Sequence, residues 1–134
     1  MPASRGRIYS VDEGRALVPL LRSLLLQLAV EQGRLNAAHG ALHAHLRGNG
    51  SPDHAAETAR RERTVAAIRE GMQALVAHFD ELDVVLRDLD NGLCDIPSER
   101  DGVPIWLCWR LADPDLGWWH LRTEGFGNRR PLDR

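Results

Sequence analysis

The C-terminal third of the chain holds an acid, an imidazole and guanidinium groups at spacings that could bring them together. Asp95, Arg110 and His120 lie in short apolar runs typical of β-strands, in which alternate residues point to one face, while Glu124 and Arg129 follow in a glycine-containing segment. Guanidinium groups bind carboxylates and phosphates through paired hydrogen bonds, and an acid can orient an imidazole as a general base. These five residues are therefore the predicted binding set for a small anionic ligand. The alternative is a structural ion-pair network that fixes the strand register.

A second group of potential ligands lies near the middle of the chain. His39 and His43 are four residues apart, so they lie on one face of a helix at a spacing that metal sites use. An antiparallel partner helix would bring Glu57 opposite His43. These three residues are the predicted metal ligands, and a transition metal is the cofactor that such a set would hold. The Glu-x-x-His repeats of di-metal bundles are missing, however, and a solvated helix tip explains the same residues.

The composition excludes several classes of function. All 17 basic residues are arginine, which rules out Schiff-base chemistry and a P-loop lysine. A formal net charge of −2 gives no basic surface for nucleic acid or for an anionic membrane, so we expect neither partner. No apolar run is long enough to be a signal segment or a membrane span. We therefore expect a cytoplasmic protein, with Cys94 and Cys108 as buried thiols rather than a redox pair.

The first two thirds of the chain predict two helices. Residues 10–48 form the first, because Ser10 and Glu13 fit a capping box and leucines follow at near-heptad spacing. Pro19 predicts a kink or a short separate first turn. Residues 51–83 form the second, which begins at the cap Ser51-Pro52-Asp53 and is antiparallel to the first because the connection is short. Helices this long do not bury their apolar stripes on each other alone. We therefore expect a homodimer through the helices, or packing against the C-terminal third.

The remaining residues predict a small sheet. Residues 84–122 alternate in polarity between turn signals and indicate an antiparallel meander, whose clearest strand is Val103–Leu111. Residues 123–134 form a glycine- and arginine-rich tail. The predicted fold is a single α+β domain over 1–134: a long antiparallel helical hairpin followed by a three- to four-stranded antiparallel β-meander.

Several stretches of the sequence resemble one known family. The likeness lies in the opening Val11–Leu20 and in a series of C-terminal stretches. These stretches are Arg87-Asp88, Gly92-Leu93, Asp95, Pro97, Leu107-Cys108-Trp109-Arg110, Trp119-His120, Gly125-Phe126 and Arg129-Arg130-Pro131-Leu132. In these stretches the chain resembles the bacterial DUF2203 family, and the likeness brackets nearly all of it. The resemblance implies a fold pattern and no activity.

Two functions from different classes follow from these residues. The first is a binding or assembly module with a small polar pocket that accepts an anion on the C-terminal sheet. The second is a metal-dependent enzyme that uses either His120 with Asp95 and Glu124, or the set of His39, His43 and Glu57. The residues leave open whether the chain is an enzyme. The binding module is the preferred interpretation, because neither metal set has a complete ligand pattern.

Overall fold

The structure, a computed structural model, describes residues 6–48 and 52–133. Two helices form a hairpin, and a five-stranded antiparallel sheet with strand order β1-β2-β3-β4-β5 follows them. This arrangement confirms the α+β class. The elements are α1 (Val11–Leu46), α2 (His54–Glu81), β1 (Val85–Asp88), β2 (Leu93–Arg100), β3 (Val103–Trp109), β4 (Trp118–Leu121) and β5 (Arg130–Pro131), with a short 3-10 helix at Phe126–Asn128.

Helix α1 begins where the sequence predicts. The Ser10 amide donates to Oε1 of Glu13 at 2.8 Å and the Glu13 amide donates to Oγ of Ser10 at 3.0 Å, which is the reciprocal pattern of a capping box. The helix continues through Pro19, which lies on its exposed side, so the separate first turn does not form. Helix α1 ends at Leu46, two residues before the predicted end at Gly48, and the predicted cap at Ser51 lies outside the described residues.

The sheet contains five strands, whereas the sequence predicts three or four. Residues Arg130 and Pro131 pair with Trp119 and Trp118 of β4, so the predicted tail contributes the edge strand β5. A two-residue strand has no alternating pattern of its own and forms only because β4 offers it an edge. The first turn of the sheet does follow from local chemistry, since the Asp88 carboxylate accepts hydrogen bonds from the amides of Asp90 and Asn91.

The chain divides into two compact units. The first comprises Met1–Leu25 and Val76–Arg134, and the second is Leu26–Leu75. In the first unit the inner face of the sheet is the core, where Ile105, Leu107 and Trp109 of β3 are buried at alternate positions as predicted. The second unit contains the adjoining parts of both helices, and the apolar residues buried in its described part are Leu28, Val65 and Ile68. Within the described residues, neither helix has an apolar stretch long enough to cross a membrane.

Helix α1 approaches the inner face of the sheet most closely at Gly14. A Cβ atom on this residue would lie 2.9 Å from a methyl carbon of Leu107 and 2.9 Å from one of Leu116. Both leucine side chains are fully buried, so neither has free space to move into. Gly33, further along the same helix, has no atom within 4 Å of the corresponding position.

We expect Gly14→Val to lower the free energy of unfolding by about 2 kcal/mol, because the added atoms overfill a packed contact. In contrast, Gly33→Ala should raise the free energy of unfolding by about 0.5–1 kcal/mol, since alanine has the higher helix propensity and its methyl group would lie in open space. Urea unfolding followed by circular dichroism measures both. A stabilised Gly14→Val variant would contradict the close approach of α1 to the sheet.

Candidate functional site

Three side chains come together on the outer face of the sheet, the face opposite Ile105, Leu107 and Trp109 of β3. The register places Asp95 of β2 directly opposite Cys108 of β3, and His120 of β4 opposite Trp106 of β3. Asp95, Cys108 and His120 are all buried, and each offers a potential ligand atom within 4.8 Å of the other two. We call these three residues the Asp–Cys–His cluster. Three adjacent strands supply one residue each, so the sheet register alone fixes their proximity.

Both ring nitrogen atoms of His120 face hydrogen-bond acceptors. Nδ1 lies 2.8 Å from the carbonyl oxygen of Leu121, and Nε2 lies 3.2 Å from Oδ1 of Asp95. A neutral imidazole can donate from only one nitrogen, and the backbone carbonyl accepts but never donates. Both contacts are therefore favourable at the same time only when each ring nitrogen carries a proton, or when a cation lies between Nε2 and Oδ1 of Asp95.

Two arginines extend the cluster to the surface. Nε of Arg87 donates to Oδ2 of Asp95 at 2.9 Å, and the Arg87 guanidinium lies over the Trp106 ring at 5.2 Å from its centroid. The guanidinium of Arg122 lies over the same ring at 3.9 Å, and its Nε donates to the carbonyl oxygen of Ile105 at 2.9 Å. The two guanidinium groups therefore share one aromatic platform beside Asp95.

A pocket of about 340 Å³ opens beside these groups on the outer face. Glu124 lies at its edge and accepts hydrogen bonds from the Leu121 amide at 3.0 Å and from both terminal nitrogen atoms of Arg130 at 2.9 and 3.0 Å. These contacts, the Arg130 side chain first among them, hold the pKa of Glu124 below its ordinary value. Both oxygens of Glu124 are thus occupied. The pocket is lined by Arg87, Leu93, Asp95, His120, Arg122, Thr123, Glu124, Gly125 and Phe126.

Asp113 organises a separate ion-pair group. Its carboxylate accepts hydrogen bonds from Arg129 at 2.9 and 3.3 Å and from the Arg110 amide at 3.1 Å, and Nε of Arg110 lies 3.6 Å away. The Arg129 guanidinium lies over the rings of Trp118 and Phe126, at 4.6 and 4.3 Å from their centroids. Burial acts to raise the pKa of Asp113, but these donors and charges outweigh it and hold the pKa below 3.8. The structure thus divides the predicted binding set: Asp95, His120 and Glu124 line the pocket, whereas Arg110 and Arg129 bind Asp113.

The two cysteines are free and buried, as predicted, and they lie on opposite faces of the sheet. Burial, followed by the charge of Asp95, raises the pKa of the Cys108 thiol to about 11, although the Arg129 guanidinium opposes this. The same two causes raise the pKa of Cys94 to about 12. Both groups are protonated thiols at neutral pH, and neither is an activated nucleophile.

The hairpin does not gather the predicted metal ligands. Nε2 of His39 lies 3.0 Å from a terminal nitrogen of Arg69, and Glu57 forms ion pairs with Arg60 and with Arg61, the latter at 2.7 Å. His43 is exposed. Across the ranges 6–48 and 52–133, the Asp–Cys–His cluster is the one group with three potential metal ligands this close together.

Sequence reasoning left Arg87 and Arg122 out of the predicted site, and it treated Cys108 as a buried thiol and not as a ligand. Arg122 could have been found, because it follows His120 by two residues and so continues the same face of the strand. Arg87 could not have been found, because the pairing of β1 with β2 is irregular between Leu86 and Asp88, and no pattern in the sequence predicts that irregularity.

These features define a class: an α+β chain in which a helical hairpin precedes a five-stranded antiparallel sheet with a buried Asp–Cys–His cluster on its outer face. The chain belongs to the DUF2203 family. The model of that family, described as an uncharacterized conserved protein, matches residues 7–132, which confirms the resemblance over nearly the whole chain. No curated protein and no solved structure matches it. The family description names no activity, so the functional argument depends on the site.

We expect Asp113→Asn to lower the free energy of unfolding by about 2 kcal/mol at pH 7, because it leaves Arg129 without its buried counter-charge. The folded-state pKa of Asp113 lies below the unfolded one, so its stabilising contribution is complete above about pH 5 and is lost as the pH falls through the lowered pKa. Urea unfolding of both proteins should therefore show a smaller difference at pH 3 than at pH 7. An equal difference at the two pH values would argue against the ion pair as its source.

Proposed function

We propose that this chain is a binding module that takes a small anion, bearing a carboxylate or phosphate group, in the pocket on the outer face. The observation that carries the proposal is the pair of guanidinium groups at Arg87 and Arg122. Both lie against Trp106, and both have the single carboxylate of Asp95 as their near counter-charge. Planar guanidinium groups present paired donors that match carboxylate and phosphate oxygens.

The charges around the pocket favour a negative guest. Glu124 is neutralised by Arg130, so the remaining pocket charges are two guanidinium groups and one carboxylate, before any proton on His120 is counted. Burial lowers the pKa of Arg122, the Asp95 charge opposes this shift, and the nearby charge of Arg87 adds to it. An anion between the two arginines would offset the repulsion between their charges. It would also stabilise the charged Arg122 side chain, which has lost part of its contact with water.

The surroundings of Arg122 also support its role as a binding group. Within the described residues its hydrogen bond runs from Nε to the Ile105 carbonyl oxygen, which fixes the side chain without neutralising it. The terminal nitrogen atoms therefore remain available for a ligand. The Phe126 ring and Thr123 complete a mixed wall of the kind that small-molecule pockets use.

The test is a calorimetric titration with inorganic phosphate and, separately, with malonate, which distinguishes a phosphate ligand from a carboxylate one. We expect Arg122→Gln to weaken binding by about 10–100-fold, because a charge-assisted hydrogen bond contributes roughly 1.5–3 kcal/mol. Circular dichroism checks that the variant folds.

The matched control is Arg100→Gln. Arg100 also lies over a tryptophan, at 4.7 Å from the Trp119 centroid, but it is not among the pocket residues. Its substitution should leave the affinity within about twofold of the wild type, since a distant exposed charge is screened. Equal losses in the two variants, or no binding of either anion to the wild type, would reject the proposal.

We also propose that the module is a homodimer through its helices. Leu26 and Val30 lie four residues apart on α1, and their exposed fractions are 51% and 61%. A second copy is the occupant that this apolar row favours, because the same row on two chains is self-complementary across a twofold axis.

Light scattering after size exclusion should give twice the chain mass for the wild type. The double substitution of Leu26→Glu with Val30→Glu should give the single chain mass, because charges would be buried at the contact. Val103→Glu is the control, since Val103 is 49% exposed on the sheet instead of the helices. A wild-type protein with the single chain mass would overturn the homodimer.

A further inference from the structure

We propose that Asp95, Cys108 and His120 form a binding site for one divalent transition-metal ion of the zinc class, with an open coordination position toward the pocket. The inference goes beyond anion binding by Arg87 and Arg122, because it concerns a cation and the side chains of the Asp–Cys–His cluster. It also replaces the sequence-based set of His120, Asp95 and Glu124: Glu124 binds Arg130, and Cys108 takes its place.

The geometry of His120 fits a metal ligand. Its Nδ1 faces the carbonyl oxygen of Leu121 at 2.8 Å, so the ring holds a proton there and directs the Nε2 lone pair at the cluster. Metal-bound histidines use this same arrangement to fix their tautomer and ring orientation. A lone pair 3.2 Å from Oδ1 of Asp95 is repulsive unless a proton on Nε2 or a cation lies between them, and a bound metal ion would supply that cation.

The other two ligands are supported in the same way. Oδ2 of Asp95 accepts a hydrogen bond from Arg87 at 2.9 Å, which leaves Oδ1 directed at the cluster. The Arg129 guanidinium, which is held by Asp113 at 2.9 Å, acts to lower the pKa of the Cys108 thiol and so favours its thiolate form. Each candidate ligand thus has an outer partner, the pattern that positions ligands in established metal sites.

The ligand chemistry selects the ion. On binding, the metal displaces the thiol proton of Cys108 to solvent, so that one thiolate and one carboxylate supply two negative charges and balance a divalent cation in a buried place. Imidazole and sulfur ligands favour zinc-like ions over magnesium or calcium. Ligand atoms around tetrahedral zinc lie about 3–4 Å apart, so atoms already within 4.8 Å of one another need only small side-chain movements.

The arrangement does not fit a cysteine–histidine–aspartate catalytic triad. In such a triad the acid binds one imidazole nitrogen and the nucleophile binds the other. Here a backbone carbonyl occupies Nδ1 of His120 and the Asp95 carboxylate lies against Nε2, so neither ring nitrogen is left to activate the Cys108 thiol. Three potential ligand atoms within 4.8 Å of one another fit coordination of one ion better than a triad. Three protein ligands leave a fourth position, and Asp95 and His120 line the pocket through which a small molecule would reach it.

The experiment is a titration of the full chain, stripped with chelator and then dialysed, with Co²⁺ followed by absorption spectroscopy. We expect one equivalent of Co²⁺ to produce a sulfur-to-metal charge-transfer band, which reports a cobalt–thiolate bond directly. Zn²⁺ should abolish the band by displacement and should raise the melting temperature.

The chain offers a matched pair of cysteine variants. Cys108→Ser should lose the charge-transfer band, whereas Cys94→Ser, at a neighbouring buried position on the inner face, should keep it. Asp95→Asn and His120→Gln should each weaken Co²⁺ binding by more than the roughly 10–100-fold that loss of an outer partner costs. Circular dichroism identifies any variant that fails to fold.

The wild-type protein alone can overturn the proposal. If it gives no charge-transfer band and no stabilisation by Zn²⁺, or if the band survives in Cys108→Ser and vanishes in Cys94→Ser, no metal binds at this cluster. A parallel phosphate titration in EDTA keeps the two proposals separate, because anion binding by the arginines alone persists without metal. Loss of phosphate binding with retention of the cobalt band would reject the anion pocket and leave the metal site standing.

Discussion

The buried contact between Asp95 and His120 is the constraint around which the outer face of the sheet is arranged. A carboxylate and an imidazole removed from water both need partners, and the strands supply them: Arg87 for Asp95, and the backbone of Leu121 for His120. The two residues come from β2 and β4, so this contact spans the intervening strand. It therefore ties the register of three strands to one polar contact. A slip of β2 by one residue would move Asp95 to the inner face, and a slip of β4 would do the same to His120.

Because the chain contains no lysine, every basic side chain that packs on one of its tryptophan rings is an arginine. Each of the four has at least one guanidinium over its ring: Arg87 and Arg122 on Trp106, Arg22 on Trp109, Arg129 on Trp118, and Arg100 and Arg130 on Trp119. A planar guanidinium can stack on a ring and still donate along its edges, which a lysine ammonium cannot do. The same arginines thus pack the sheet and leave donors near the pocket.

The two proposals for this DUF2203 chain share a physical logic. Oδ2 of Asp95 accepts a hydrogen bond from Arg87, and Oδ1 faces Nε2 of His120, so the proposed metal ion would lie between an anionic oxygen and an imidazole nitrogen. Above it, two guanidinium groups with one carboxylate favour an anion. A buried cation site below an anion-accepting wall is an arrangement in which each guest would strengthen the binding of the other, because opposite charges attract strongly where water is excluded.

The sequence by itself determined the elements: the capping box at Ser10 and Glu13, the hairpin of two helices, and the alternation along β3 are local patterns that propensity and period fix. It also indicated Asp95 and His120 as candidates. Only the tertiary structure decided their companions. Whether Arg87 reaches the pocket, and whether Glu124 or Cys108 joins His120, depends on strand register, on the irregularity in β1 and on the short strand β5. These are long-range pairings, and residues far apart in sequence carry no local signal of which partner they will meet.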